Sequence, residues 1–159
     1  FITQLTGITN AMVAGAPPAE AVMADAARFV GEVPMVAHNA SFDRRYWIAE
    51  LARAGVPAPQ PFACTVLLSR RLYPEAPSHK LGNLVDWFQL PRTGRAHRAL
   101  ADAEMAAELL QRIQHDLRTR HGVAEPDHAY LMGLQRCTKA AVAKLLARHA
   151  VPQGVLSAP

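Results

Sequence analysis

An apolar segment at residues 33–37 places the strongest limit on what this chain can fold into. It reads VPMVA and shows no alternation between polar and apolar side chains. A strand with one wet face alternates, whereas a strand that is covered on both faces is apolar throughout. The segment therefore predicts a short strand that lies inside the protein.

Helical periodicity surrounds this strand, and a further apolar run predicts a second strand. We expect helices at residues 19–30, 42–54, 80–90 and about 100–118, and the second strand at 62–68. Strands separated by helices indicate an α/β architecture rather than a helical bundle or an all-β barrel. Two strands alone form a marginal sheet. Either the protein is mostly helical with a vestigial sheet, or the chain begins in the middle of a domain.

The apolar faces of these helices predict which side chains form the core. In helix 42–54 the expected face consists of Phe42, Tyr46, Ile48, Leu51 and Ala52. Trp47 and Trp87 are also expected in the core. No aromatic side chains interleaved with basic ones, of the kind that stack on nucleic-acid bases, are visible in the sequence.

The last part of the chain differs from the rest. We expect residues 1–121 to form one domain and residues 122–159 to form a C-terminal helical extension. Two short helices are predicted in the extension, separated near Cys137 and Thr138, with Thr138 as a cap of the second helix. The extension either packs on the domain or docks to a polymerase or to nucleic acid.

The charge excess of the chain is mild and local. Lysine and arginine total 17, aspartate and glutamate total 13, and the formal net charge is +4. Residues 1–111 hold ten side chains of each sign, so the seven basic and three acidic side chains of residues 112–159 carry the whole excess. This charge is compatible with an anionic partner but does not require one.

Cysteine content and hydropathy indicate the compartment. Cys64 and Cys137 are too few and too far apart for a disulfide framework, and neither has another ligand at metal-binding spacing. No apolar run approaches the ~20 residues that a membrane helix needs, and we find no signal-peptide pattern. We expect a cytoplasmic protein without a membrane partner.

Three ionisable residues are candidates for chemistry. Asp43 lies in the first turn of the helix that follows the buried strand, where active sites of open α/β sheets gather. His97 and Asp102 would point about 140° apart on one helix, so they converge only if His97 lies in a loop and Asp102 in a first helical turn. Each has a structural alternative. The carboxylates could complement helix dipoles, and His97 could be a surface imidazole.

The residues around these candidates match a known pattern. The segments HNASFD at residues 38–43 and HRALADA at 97–103 resemble the second and third motifs of the DEDDh exonucleases, and in particular the epsilon proofreading subunit of bacterial DNA polymerase III. Residues 5–9, residues 64–70 and the helix that starts near Lys80 are similar in order and spacing. The resemblance covers about residues 1–118.

The resemblance implies a ribonuclease H-like α/β fold, with a mixed sheet flanked by helices, and hydrolysis of phosphodiester bonds from a 3′ end with two divalent ions, Mg²⁺ or Mn²⁺. Hard cations prefer carboxylate oxygens, and a neutral imidazole can accept a proton from the attacking water. By resemblance, Asp43 and Asp102 are the metal-binding carboxylates and His97 is the general base. The implied substrate-binding residues are His38, Asn39 and Ile8.

The first motif of that family, Asp-x-Glu on the central strand, does not occur in the sequence. We expect the natural protein to be longer by three N-terminal strands and these 159 residues alone to be inactive or nearly so. The expected partner is nucleic acid with a 3′ end, single-stranded DNA in the first place, with a polymerase contacted through the extension. The alternatives are an RNA exonuclease of the same family and a non-catalytic binding module with the same fold.

Five arginines lie near the candidate site in sequence and could contact phosphates by charge alone. They are Arg44, Arg45, Arg92, Arg95 and Arg98. The alternative for Arg44 and Arg45 is an outer helix face that is simply solvated.

Overall fold

The computed structural model describes residues 2–92 and 99–149. In chain order its elements are α1 (Ile2–Thr6), α2 (Asn10–Ala14), α3 (Ala19–Val30), β1 (Met35–Ala37), α4 (Ala40–Arg53), β2 (Phe62–Cys64), α5 (Thr65–Leu72), α6 (Leu81–Trp87), α7 (Ala99–Thr119), α8 (His128–Arg136) and α9 (Lys139–His149). None of the helices in these two ranges is both long and apolar enough to cross a membrane.

The sheet of the described residues consists of β1 and β2, which pair in parallel with α4 as their crossover. Met35 lies opposite Phe62, and Ala37 lies opposite Cys64. A parallel pair requires a crossover connection, and a helix is the usual one. The strand predicted at 33–37 is therefore present in its second half, and it leads directly into α4.

The second predicted strand is shorter than expected, because α5 begins at Thr65 within the range 62–68. Thr65, Leu68 and Ser69 are buried at helical spacing. A short apolar run does not by itself distinguish a buried strand from a buried helix. The predicted strand 62–68 therefore included residues that belong to α5.

One hydrophobic core joins the middle and the C-terminal parts of the chain. Leu68, Leu84 and Leu109 are fully buried in it together with Leu131 and Leu134 of α8. The helices α8 and α9 meet between Arg136 and Lys139, as the sequence predicts. The proposed division at residue 121 stays a prediction, and α8 packs against α5 and β2.

The outer edge of β2 is closed by a side chain. The N–H of Met35 donates to the carbonyl of Pro61. Backbone groups of successive strand residues point to opposite edges of the strand. The Phe62 carbonyl and the Cys64 N–H therefore point away from β1. Gln135 of α8 fits this edge. Its amide oxygen accepts from Cys64 N–H at 2.6 Å, and its amide nitrogen donates to Phe62 O at 3.3 Å.

A buried carboxylate holds α7 against the end of α5. Asp116 is 1% exposed, and its Oδ2 accepts from the Tyr73 hydroxyl and from Arg112 Nε, each at 3.0 Å. Arg120 Nε lies 3.4 Å from the other oxygen. Burial and the Asp116 charge raise the pKa of Tyr73, so its hydroxyl keeps the proton it donates. These partners offset the cost of burying the charge.

Several aromatic side chains that were predicted in the core are exposed. On α4, Leu51 is fully buried, but Phe42 is 52% and Tyr46 48% exposed. Trp87 is 39% exposed, whereas Trp47 is half-buried and its Nε1–H donates to Gln60 Oε1 at 2.8 Å. Periodicity reports that side chains share a face but not whether another element covers it.

Replacing Gln135 by Ala tests the edge contact. The buried Cys64 N–H and Phe62 carbonyl would each lose a partner, at about 1–3 kcal/mol per group. We expect the free energy of unfolding, measured by urea denaturation, to fall by about 2–5 kcal/mol. Gln111→Ala, at an exposed position of α7, is the matched control with a change of at most about 0.5 kcal/mol. Equal losses in both variants would contradict this account.

Candidate active site

The turn between β1 and α4 places two polar residues at the carboxyl end of the strand. His38 follows β1 directly, and Asn39 is the residue before α4 with φ 69° and ψ 47°. This is the left-handed region, which asparagine tolerates better than most residues because its short side chain bonds locally. The chain can therefore turn at once from the strand into α4.

Both ring nitrogens of His38 contact protein groups. Nε2 lies 3.1 Å from the carbonyl oxygen of His79, and Nδ1 lies 2.9 Å from Thr65 Oγ1. Burial lowers the pKa of His38, and the nearby His79 lowers it further against the opposing effect of the backbone hydrogen bond. A carbonyl can only accept, so Nε2 carries the proton and Nδ1 accepts from the Thr65 hydroxyl.

These contacts connect three segments, namely the end of β1, the start of α5 and the loop before α6. His38 was predicted as a substrate-binding residue. Both of its nitrogens contact protein groups and join three segments of the wall of a cavity, and substrate binding by His38 stays a prediction.

That cavity, of about 780 Å³, contains residues of both sequence motifs, and we call it the Asp102 cavity. His38 and Asn39 of the segment 38–43 and Asp102 of the segment 97–103 lie in its wall. Its other described lining residues are Val66, Arg70, Ser78, His79, Lys80, Leu81, Gly82, Asn83, Arg92 and Met105. Asp102 is half-buried in the first turn of α7, as the sequence predicts.

The remaining predicted residues are placed differently. Asp43 lies in the first turn of α4 and is exposed, and neither it nor Ile8, which is 42% exposed, belongs to the described wall of the Asp102 cavity. The partial loss of water around the Asp43 carboxyl raises its pKa. His97 lies outside the described residues, as do Arg95 and Arg98.

The two candidate carboxylates are of the donor type that a hard divalent cation prefers, but the described residues bring too few such donors together for a complete site. Asp43 and Asp102 carry the oxygen donors that Mg²⁺ and Mn²⁺ prefer. Among residues 2–92 and 99–149, however, no three His, Cys, Asp or Glu side chains gather closely enough to hold a metal ion. The described residues therefore provide part of a donor set.

The structure reveals an aromatic and basic surface that the sequence reading missed. Phe42 and Tyr46, one helical turn apart on α4, have ring centroids 4.7 Å apart. The guanidinium carbon of Arg45 lies 5.9 Å from the Phe42 centroid and 5.2 Å from that of Tyr46. The signal was present as FDRRY, with the aromatic residues four positions apart, but it was attributed to the core.

The family model described as exonuclease, RNase T type, matches residues 1–110. The chain therefore belongs to the exonuclease family.

Curated relatives with 38% and 39% sequence identity are consistent with this family. The PolC-type DNA polymerase III of Halalkalibacterium halodurans is 38% identical over 120 residues, which cover 75% of this chain and 8% of that protein. The Streptococcus sanguinis enzyme of the same name is 39% identical over 124 residues, or 77% and 8%. The chain thus spans 8% of the length of these relatives.

A solved structure supports the fold. Exonuclease X in complex with 5′ overhanging duplex DNA is 27% identical to this chain, with a TM-score of 0.51, and the match covers 91% of this chain and 71% of that one. Together these findings confirm the predicted family and fold class. The chain belongs to the DEDD-type exonuclease family, is related to the proofreading domain of DNA polymerase III, and has a ribonuclease H-like fold.

The lowered pKa of His38 predicts a pH dependence of stability. The unfolded state, with a histidine pKa of about 6.5, takes up a proton that the folded state resists. The free energy of unfolding should therefore fall as the pH drops from about 6.5 toward the folded-state pKa. In the variant His38→Gln this dependence should be shallower. His121→Gln, outside the walls of the cavity, should keep it.

Urea denaturation of the three proteins between about pH 7 and pH 5 measures this difference. If His38→Gln loses stability on acidification as steeply as the unmodified protein, His38 is not the group responsible.

Proposed function

We propose that this protein is a 3′–5′ exonuclease that hydrolyses phosphodiester bonds of DNA with two divalent metal ions, as proofreading subunits of DNA polymerase III do. The observation that carries the proposal is the Asp102 cavity. There His38 and Asn39, at the carboxyl end of β1, and Asp102 of α7 line the same cavity although they come from two motifs far apart in sequence.

In this proposal Asp43 and Asp102 hold the metal ions together with carboxylates from the rest of the donor set. Bound ions of this kind stabilise the negative charge on the attacking and leaving oxygens. His97 precedes α7 and acts as the general base that accepts the proton of the attacking water. His38, Asn39 and Ile8 contact the terminal nucleotide, and His38 also holds the turn that presents Asn39.

The names of the similar proteins favour DNA as the substrate, and a surface of α4 favours a single strand. The similar relatives are named as DNA polymerases, and the similar solved structure is described as a complex with DNA. On this chain, the exposed rings of Phe42 and Tyr46 with Arg45 beside them lie on the same helix as Asp43. Aromatic rings stack on bases of any sequence, and arginine binds phosphate, so this surface suits a single strand.

We also propose that the C-terminal helices contribute to a contact with a polymerase. The relatives carry the matching segment within polymerases. Lys139, Lys144 and Arg148 on α9 are exposed, so this helix presents charge to its surroundings while Val142 is buried in the core.

Replacing Asp102 by Ala in the full natural chain tests the catalytic proposal. We expect release of mononucleotides from 5′-labelled single-stranded DNA, with Mg²⁺ or Mn²⁺ present, to fall at least about 100-fold, because even outer partners of metal ligands contribute about 10–100-fold. Glu104→Ala, an exposed carboxylate on the same helix, is the control and should retain activity.

Three outcomes would contradict parts of the proposal. Undiminished digestion by Asp102→Ala removes that residue from the mechanism. Faster digestion of RNA than of DNA by the unmodified protein identifies an RNA exonuclease. Binding of DNA by the unmodified protein without any hydrolysis identifies a non-catalytic module.

A further inference from the structure

A second cavity lies beside the Asp102 cavity. All the charged side chains in its described lining are arginines. It has a volume of about 690 Å³, and we call it the arginine cavity. Its described lining residues are Asn39, Ala40, Ser41, Arg44, Arg45, Ile48, Phe62, Cys64, Val66, Leu67, Arg70 and Gln135. No aspartate or glutamate is among them, so the cavity is positively charged.

Helical geometry directs the arginines to this cavity. Ser41, Arg44, Arg45 and Ile48 follow one another at spacings of three, one and three residues on α4, which places them along one face of the helix. Arg70 reaches the cavity from α5. The cavity is thus a cleft between two helices, and both contribute positive charge.

The charges of this cavity are available to a ligand. In the part of the chain that the structure describes, no carboxylate forms an ion pair with Arg44, Arg45 or Arg70. By contrast, Arg53 on the same helix α4 pairs with Glu50 at 2.8 Å, and Arg92 in the Asp102 cavity pairs with Asp86 at 2.6 Å. Arg53 and Arg92 are thus paired with carboxylates, whereas Arg44, Arg45 and Arg70 have no carboxylate partner among the described residues.

The arginine cavity adjoins the Asp102 cavity, because Asn39, Val66 and Arg70 line both. The lining of the arginine cavity includes Gln135, whose amide is held by the edge of β2. Gln135 lies beyond residues 1–110, the part that matches the family model. The cavity is therefore a joint product of the exonuclease core and α8.

We propose that the arginine cavity binds phosphates of the same DNA strand whose 3′ end occupies the Asp102 cavity. This inference rests on the proposed function. Guanidinium groups match phosphate oxygens with paired, charge-assisted hydrogen bonds. Arg70 lines both cavities, and Arg44 and Arg45 line the arginine cavity beside it. The cavity then lengthens the binding site by the nucleotides upstream of the cleaved bond.

The double variant Arg44→Gln/Arg70→Gln in the full natural chain tests this inference. The readout is kcat/KM for a ten-nucleotide single strand divided by kcat/KM for the p-nitrophenyl ester of thymidine 5′-monophosphate, which contains one phosphodiester. We expect this ratio to fall at least about tenfold, because a hydrogen bond to a charged group contributes about 1.5–3 kcal/mol, or about 10- to 150-fold. Arg45 is left unchanged because it also stacks on Phe42 and Tyr46.

The salt dependence of binding supplies a second measurement. The logarithm of the binding constant falls with the logarithm of salt concentration by about 0.7 per phosphate contact on a single strand. Removing two contacts should make the slope for the ten-nucleotide strand shallower by about 1.4. Arg118→Gln/Arg136→Gln, a charge-matched control at exposed positions outside both cavities, should keep slope and ratio. With Arg70 intact, the variant Arg44→Lys should lower the ratio of kcat/KM values less than Arg44→Gln does.

The outcomes separate this inference from the proposed function. An unchanged ratio and slope in a protein that degrades DNA overturn the arginine cavity as a strand site and leave the exonuclease intact. If the unmodified protein releases no nucleotides, the proposed function fails, and the salt slope alone decides whether the cavity binds DNA. If free thymidine 5′-monophosphate loses as much affinity as the strand does, the cavity holds a mononucleotide and the strand proposal is wrong.

Discussion

The pairing of the Gln135 amide with the outer edge of β2 is the interaction on which the rest of the structure depends. A short strand with a bare edge leaves buried backbone groups without partners. The side chain of Gln135 accepts from Cys64 and donates to Phe62 as a neighbouring strand would. It thereby holds the start of α5 in place, and with it the Thr65 hydroxyl that contacts His38.

The site follows from this arrangement. His38 and Asn39 follow the carboxyl end of β1. Because Asn39 has a left-handed backbone conformation, these two residues are enough to connect β1 to α4. Residues at the end of a parallel strand and in the following first turn are held rigidly, which suits chemistry that requires fixed geometry. The Asp102 cavity lies at this end of the sheet, where His38 and Asn39 line it.

The sequence predicted elements better than it predicted burial. The approximate limits of α4 and α7, and the break between the two C-terminal helices, could be read from periodicity and helix stops, and Asp102 falls in a first turn as expected. The range 62–68 was divided wrongly, because its apolar residues suit a strand and a helix alike. Phe42 and Trp87 were assigned to the core, yet they are partly exposed, because burial depends on what packs against a face.

The sequence by itself determined the α/β class, the family resemblance and the residues of the two motifs, because these depend on residue types at short spacing along the chain. Only the tertiary structure decided that Gln135 completes the sheet edge, that His38 uses both ring nitrogens within the protein, and that Arg44, Arg45 and Arg70 share one cavity without a carboxylate. Such contacts join residues from separate elements. Their distances depend on the packing of whole helices and strands, which no local pattern records.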